Sequence, residues 1–98
     1  MITSKQRAYL RGLANPLESI FQVGKGGINE HFVTQIDETL TVRELIKIKV
    51  LETSPIKARE VCDELCKILS AEPVQIIGSK LVIYRQNKKL DEFIKLPR

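Results

Sequence analysis

VQIIGSKLVIY, residues 74–84, decides how the rest of the chain is read. Two runs rich in Val and Ile flank Gly78-Ser79-Lys80, and a short glycine-bearing break between β-rich runs predicts a hairpin. The second run, from Leu81 to Tyr84, is apolar at every position. A strand apolar on both faces belongs in the middle of a sheet rather than at its edge.

Working upstream, Ile46, Ile48 and Val50 alternate with Lys47 and Lys49, the period-two pattern of a strand with one wet face. Between this strand and the hairpin, Ala58, Val61, Cys62, Leu65, Ile68 and Leu69 keep helical spacing. Ser54-Pro55 reads as cap and first residue of that helix, and Pro73 as its stop. Before the strand, Asn29 is a good N-cap for a helix carried by Phe32, Val33, Ile36 and Leu40, with Ile28 placed to staple onto Val33. Residues 17–23 read as a short strand. Thr3 and Gln6 form a capping-box signature opening a first helix to about Leu13, with Leu10, Leu13 and Ala14 on its apolar side and Arg7 and Arg11 one turn apart on a flank. Asn15-Pro16 ends it, because a residue before proline is disfavoured in the helical region. The order is α-β-α-β-α-β-β: two right-handed β-α-β crossovers and a terminal hairpin, a two-layer α/β sandwich.

Ninety-eight residues leave room for one domain, spanning 1–98, with 86–98 as a polar C-terminal tail in which Phe93, Ile94 and Leu96 can dock. With 43% hydrophobic and 29% charged residues, the composition is that of a globular protein. No apolar run approaches the ~18 residues of a membrane helix, and MITSKQRAYL lacks a signal-peptide core, so no membrane partner is expected. Cys62 and Cys66 sit one helical turn apart, a poor disulfide geometry; core filling in a reducing, cytoplasmic setting is the expectation. The single histidine, His31, is too far from them in sequence to complete a metal site.

The net charge of +4 is unevenly spread: +3 over residues 1–28, −3 over 29–79 and +4 over 80–98. If the two ends meet in the fold they form one basic surface for a polyanion. Catalytic chemistry is missing. There is no nucleophile elbow, no cysteine beside a histidine and no metal-ligand spacing, and adjacent pairs such as Asp37-Glu38 diverge on a helix. No enzyme activity, cofactor or small-molecule substrate is therefore expected.

Gly24-Lys25-Gly26-Gly27 fails both the P-loop and the dinucleotide patterns but satisfies G-x-x-G between a strand and a helix N-terminus. Absent side chains let a sugar-phosphate backbone approach the main chain. Glu30, at the first helical position, would repel a phosphate on the helix axis, so the anion is expected over Gly24, Lys25 and Gly26. A KH module, in which the loop joins two helices, does not fit an extended 17–23 segment. Lys57 and Arg59 fall in a first helical turn, where the dipole disfavours cations; a nearby phosphate or plain solvation accounts for them. Tyr9 and Tyr84 could stack on bases, whereas Phe21 and Phe32 read as core.

TSKQRAYLRGLAN-P (3–16), QVGKGG-IN (22–29), ELIKIKV (44–50), VQIIGSKLVIYR (74–85) and the closing LPR (96–98) are together similar to the YhbY-like proteins. These are the stand-alone bacterial form of the CRM domain, the chloroplast RNA splicing and ribosome maturation module. Asn15 stands where relatives often carry histidine. The resemblance implies the fold of the C-terminal domain of translation initiation factor three, a four-stranded mixed sheet of order 1-2-4-3 with an antiparallel last strand. It also implies RNA binding and association with precursors of the large ribosomal subunit. The expected binding residues are Lys5, Arg7, Arg11 and Lys25 for phosphates and Gly24, Gly26 and Gly27 for close backbone approach, with Lys47, Lys49 and Arg85 widening the surface. The rival expectation is a protein-interaction module whose basic surface meets an acidic partner.

Overall fold

Both central expectations of the hairpin reading are met in the computed structural model, which describes residues 2–98. Its elements are α1 (Ser4–Ala14), β1 (Ser19–Val23), α2 (Glu30–Arg43), β2 (Leu45–Val50), α3 (Ala58–Leu69), β3 (Glu72–Ile77) and β4 (Lys80–Tyr84). The strands make one mixed sheet of order β1-β2-β4-β3, with β1 and β2 parallel and β4 antiparallel to both its neighbours. Leu81, Val82, Ile83 and Tyr84 are all buried in its middle.

The crossovers explain the layering. From β1 to β2 and from β2 to β3 the chain steps in the same direction across the sheet, so right-handed connections place α2 and α3 on the same face. There Phe32, Ile36 and Leu40 of α2 and Val61, Cys62 and Leu65 of α3 bury Ile46, Ile48, Leu81 and Ile83 in the main core. Phe21 meets Phe32 edge to face at 6.1 Å. On the opposite face Leu10 and Ala14 of α1 cover Leu45, Val74, Val82 and Tyr84, joined by Ile2, Ile94 and Leu96. An 11-residue helix is only about 16 Å long, so α1 roofs one end of that face and leaves the other open.

Local signals set most element ends. The Thr3–Gln6 capping box forms in both directions, and the Asn29 side chain accepts the Phe32 N–H at 2.8 Å. Asn15 departs from expectation: it stays helical (φ −50°, ψ −47°) and its N–H reaches Arg11 O. The helix stops because Pro16 has no N–H to continue the ladder. Leu17 N–H then turns back to Ala14 O, which delays the strand to Ser19. Helix α3 starts at Ala58 rather than at Ser54-Pro55: the Ser54 hydroxyl bonds both backbone groups of Ile56, making a turn, and Lys57 is the cap position. Ile68 is 52% exposed rather than core. Pro73 does not stop α3; Ser70 does, in a left-handed conformation (φ 54°), and Pro73 lies in β3, an edge strand that tolerates it.

One buried carboxylate ties the tail down. Glu44, 1% exposed, caps α2 at φ 63°, a conformation that costs about 1–3 kcal/mol for a non-glycine residue. Its two carboxylate oxygens accept the N–H groups of Asn87 (2.8 Å) and Ile94 (2.7 Å), and its carbonyl accepts Arg85 N–H. Asn87 Nδ2 donates to Thr41 O and Gln6 Nε2 to Pro97 O, so the tail is docked as its apolar residues foretold. Charge-assisted bonds of this kind are worth about 1.5–3 kcal/mol each, less what water returns to the freed groups. Glu44→Ala is expected to lower the unfolding free energy by about 2–3 kcal/mol and to speed hydrogen exchange at Asn87 and Ile94, read by urea denaturation and NMR.

Tyr84 is 2% exposed, and its hydroxyl has no hydrogen-bond partner among the described residues. Burial, with the Glu44 charge adding to it, pushes the phenol up to about 12. The folded state thus holds this proton more tightly than the unfolded chain, so the associated stability is present below pH 10 and lost as pH rises from 10 to 12. Tyr84→Phe is expected to flatten stability over that interval relative to wild type. At pH 7 it should be neutral or stabilising by up to about 1 kcal/mol, since it removes an unpaired buried hydroxyl.

Candidate nucleic-acid interface

The glycine loop stands at the end of the sheet toward which β1 and β2 run. Val23 O accepts Leu51 N–H there, Val50 N–H reaches Ser79 O, and Gly27 N–H closes the 24–27 turn onto Gly24 O at 3.0 Å. Gly27 is at φ +60°, and a Cβ on it would lie 3.2 Å from Pro55 Cγ. The fold itself demands that glycine. Gly24 and Gly26 differ: a Cβ on either meets its neighbours only at 3.6 Å, an ordinary contact. Lys25 at the tip is exposed. The adjoining α2 terminus is already capped by Asn29 and carries Glu30 in its first turn, so an anion is directed onto the loop rather than the helix axis.

The open half of the α1 face begins below this loop. Pairing puts Gln22 of β1 beside Lys49 of β2, Lys49 opposite Lys80 of β4, and Lys80 opposite Ile77 of β3, one row across four strands. Lys47 lies one row nearer α1, opposite Val82. Asn15, at the end of α1, lines a concavity of about 220 Å³ with Lys47, Gln75, Ile77, Lys80 and Val82. None of these lysines has an ion-pair partner among the described residues.

Helix α1 continues the same surface. Arg7 donates from Nε to Pro73 O of β3 (3.0 Å), and Asn15 sits at the concavity, so the flank Arg7–Arg11–Asn15 runs along the β3 side of α1 and ends at the open half. Register thus puts Lys47 and Lys49 on the open face, Arg7 and Arg11 share the α1 flank beside it, and Lys25 stands on the loop at the adjoining end of the sheet. Lys5 is about 160° around the helix from Arg7 and lies away from that flank, exposed.

Arg85 is not on this surface. Its guanidinium pairs with Asp37 Oδ1 at 2.7 Å and also donates to Leu69 O, Asp37 O and Thr41 Oγ1, tying α2 and α3 to the end of β4. A cation with four internal bonds is a structural tie, not a surface contact. Burial likewise removes Tyr84 as a stacking platform, while Tyr9 is 43% exposed. Cys62 and Cys66 are free thiols on α3. A hydrogen bond from Cys66 lowers Cys62, and the same bond together with burial raises Cys66. Lys80 was missed in the sequence because its neighbour Lys49 is 31 positions away (80 − 49), and only strand register joins them.

The family model for the CRS1 / YhbY (CRM) domain matches residues 2–85. "Probable RNA-binding protein YqeI" of Bacillus subtilis is 42% identical over 97 residues, which cover 99% of this chain and 100% of that one. A Haemophilus influenzae protein named as an RNA-binding protein is 32% identical over 97 residues, 99% of this chain and 96% of its own. The solution structure of the hypothetical protein SAV1595 from Staphylococcus aureus superposes with a TM-score of 0.82 at 48% identity, covering 99% of this chain and 100% of that one.

Thermal denaturation distinguishes the two loop glycines. Gly27→Ala is expected to cost about 1–2 kcal/mol, through its positive φ and the Pro55 contact. Gly26→Ala is expected to change stability by less than about 0.5 kcal/mol.

Proposed function

The chain belongs to the CRS1/YhbY (CRM) domain family, and from that premise we propose that it is a non-enzymatic RNA-binding protein that binds ribosomal RNA and assists assembly of the large ribosomal subunit. The observation that carries the RNA reading is the run of cations along the α1 flank, the open half-sheet and the glycine loop, none of them with an ion-pair partner among the described residues. Arg11, Lys25, Lys47 and Lys49 neutralise phosphates, Arg7 supports the flank, and Gly24 and Gly26 admit the backbone. Lys5 extends the surface from the far side of α1. Phosphate contacts position a protein without reading sequence, and with one exposed tyrosine on α1 the recognition is of RNA shape. The absence from the sequence of any nucleophile paired with a base supports binding without chemistry. Two free thiols on one helix support a reducing, cytoplasmic setting.

Association with the assembling subunit is tested by sedimenting the tagged protein in ribosome gradients at low and high salt. Enrichment on immature large-subunit particles at low salt, lost at high salt, is expected. Sedimentation only at the top of both gradients would remove the ribosomal role. Preference for RNA over an equally charged heparin chain separates this reading from an acidic protein partner. With four phosphates engaged, log K against log salt should fall with a slope of about −3 to −4. Gly26→Ala should weaken RNA binding while leaving the melting temperature unchanged; undiminished affinity would take the loop out of the site.

A further inference from the structure

Lys49 and Lys80 face one another across β2 and β4, in register and on the same face of the sheet. Like charges directly opposite in a sheet are destabilising, and lysines placed to block strand addition belong on edge strands. These two are on the central strands. Neither edge protection nor folding explains them, and no carboxylate lines the concavity beside them.

We propose that this concavity, between the end of α1 and the open half-sheet, is a dedicated phosphate subsite for an RNA strand, with Lys80 as a binding residue beside Lys47. The inference rests on the RNA-binding reading and deepens it. About 220 Å³ accommodates a phosphodiester group with its water. Four of its lining side chains, Lys47, Lys80, Asn15 and Gln75, donate hydrogen bonds, and its apolar members Ile77 and Val82 are aliphatic, so it offers no ring for a base to stack on. Lys49 adds its charge from the same row as Lys80, and the 24–27 loop follows β1 beyond that row, so the subsite lies between the end of α1 and the glycine loop.

The subsite has a signature that a merely basic surface lacks: removing Lys80 weakens binding while relieving repulsion in the fold. The test compares wild type, Lys80→Gln, Lys80→Arg and the tail variant Lys88→Gln for affinity to labelled large-subunit ribosomal RNA over a salt series, with melting temperatures recorded. Lys80→Gln is expected to lose roughly three- to tenfold in affinity at low salt and to flatten the salt slope by about 0.7–0.9, one phosphate contact. Its melting temperature should equal or exceed that of wild type, Lys80→Arg should restore binding, and Lys88→Gln should leave the slope unchanged. Wild-type affinity and slope in Lys80→Gln, or equal losses in Lys80→Gln and Lys88→Gln, overturn the subsite while leaving RNA binding intact. A wild type that ignores RNA but binds polyglutamate through Lys80 overturns the premise with it and assigns the lysines to an acidic protein.

Discussion

The handedness of the two crossovers constrains everything else in this molecule. Both β-α-β connections move the same way across the sheet, so both helices fall on one face. The central strands β2 and β4 are left with a second apolar half-face of Leu45, Val82 and Tyr84, and α1 is the helix that covers it. That helix is short. What it covers is core; what lies beyond its end is a floor whose lysines have no ion-pair partner among the described residues. The candidate interface is thus the part of the sheet that the helices do not reach.

Polar ties close the opposite end. Glu44 fastens the tail through two backbone N–H groups, and Arg85 binds α2 and α3 to the end of β4 through four bonds. The tail that Glu44 fastens carries part of the positive charge seen at the C-terminal end of the sequence. Asn15 at the end of α1 shares a concavity with Lys80 on the open face, whereas Lys88 and Lys95 line a cleft at the tail beside Arg85. The ends of the chain do come together, as Gln6 bonding Pro97 O shows, yet the basic surface they were expected to form is divided between two ends of the domain.

Locally encoded features were legible in advance. The Thr3–Gln6 box, the Asn29 cap, the two-residue period of β2 and the glycine break before β4 each act over a few residues, and each appears where its signal stands. Local reading failed where another group competes for the same side chain. Ser54 looked like a helix cap but spends its hydroxyl on Ile56 in a turn whose Pro55 abuts Gly27. Arg85 looked like a surface cation but meets Asp37, 48 positions earlier (85 − 37). Tyr84 looked like a stacking ring but fills the core under α1.

By itself, the sequence determined the element order, most caps, the central place of residues 81–84 and the glycine loop, because propensity, capping and side-chain periodicity act within a turn or a strand. Tertiary structure alone decided which charges become neighbours. Strand register sets Lys49 against Lys80, helix packing puts Arg7 on the β3 edge and Lys5 away from it, and the Asp37 carboxylate ties up the Arg85 guanidinium. Those pairings join residues tens of positions apart, whose proximity follows from burying apolar faces and not from anything written in their own segments.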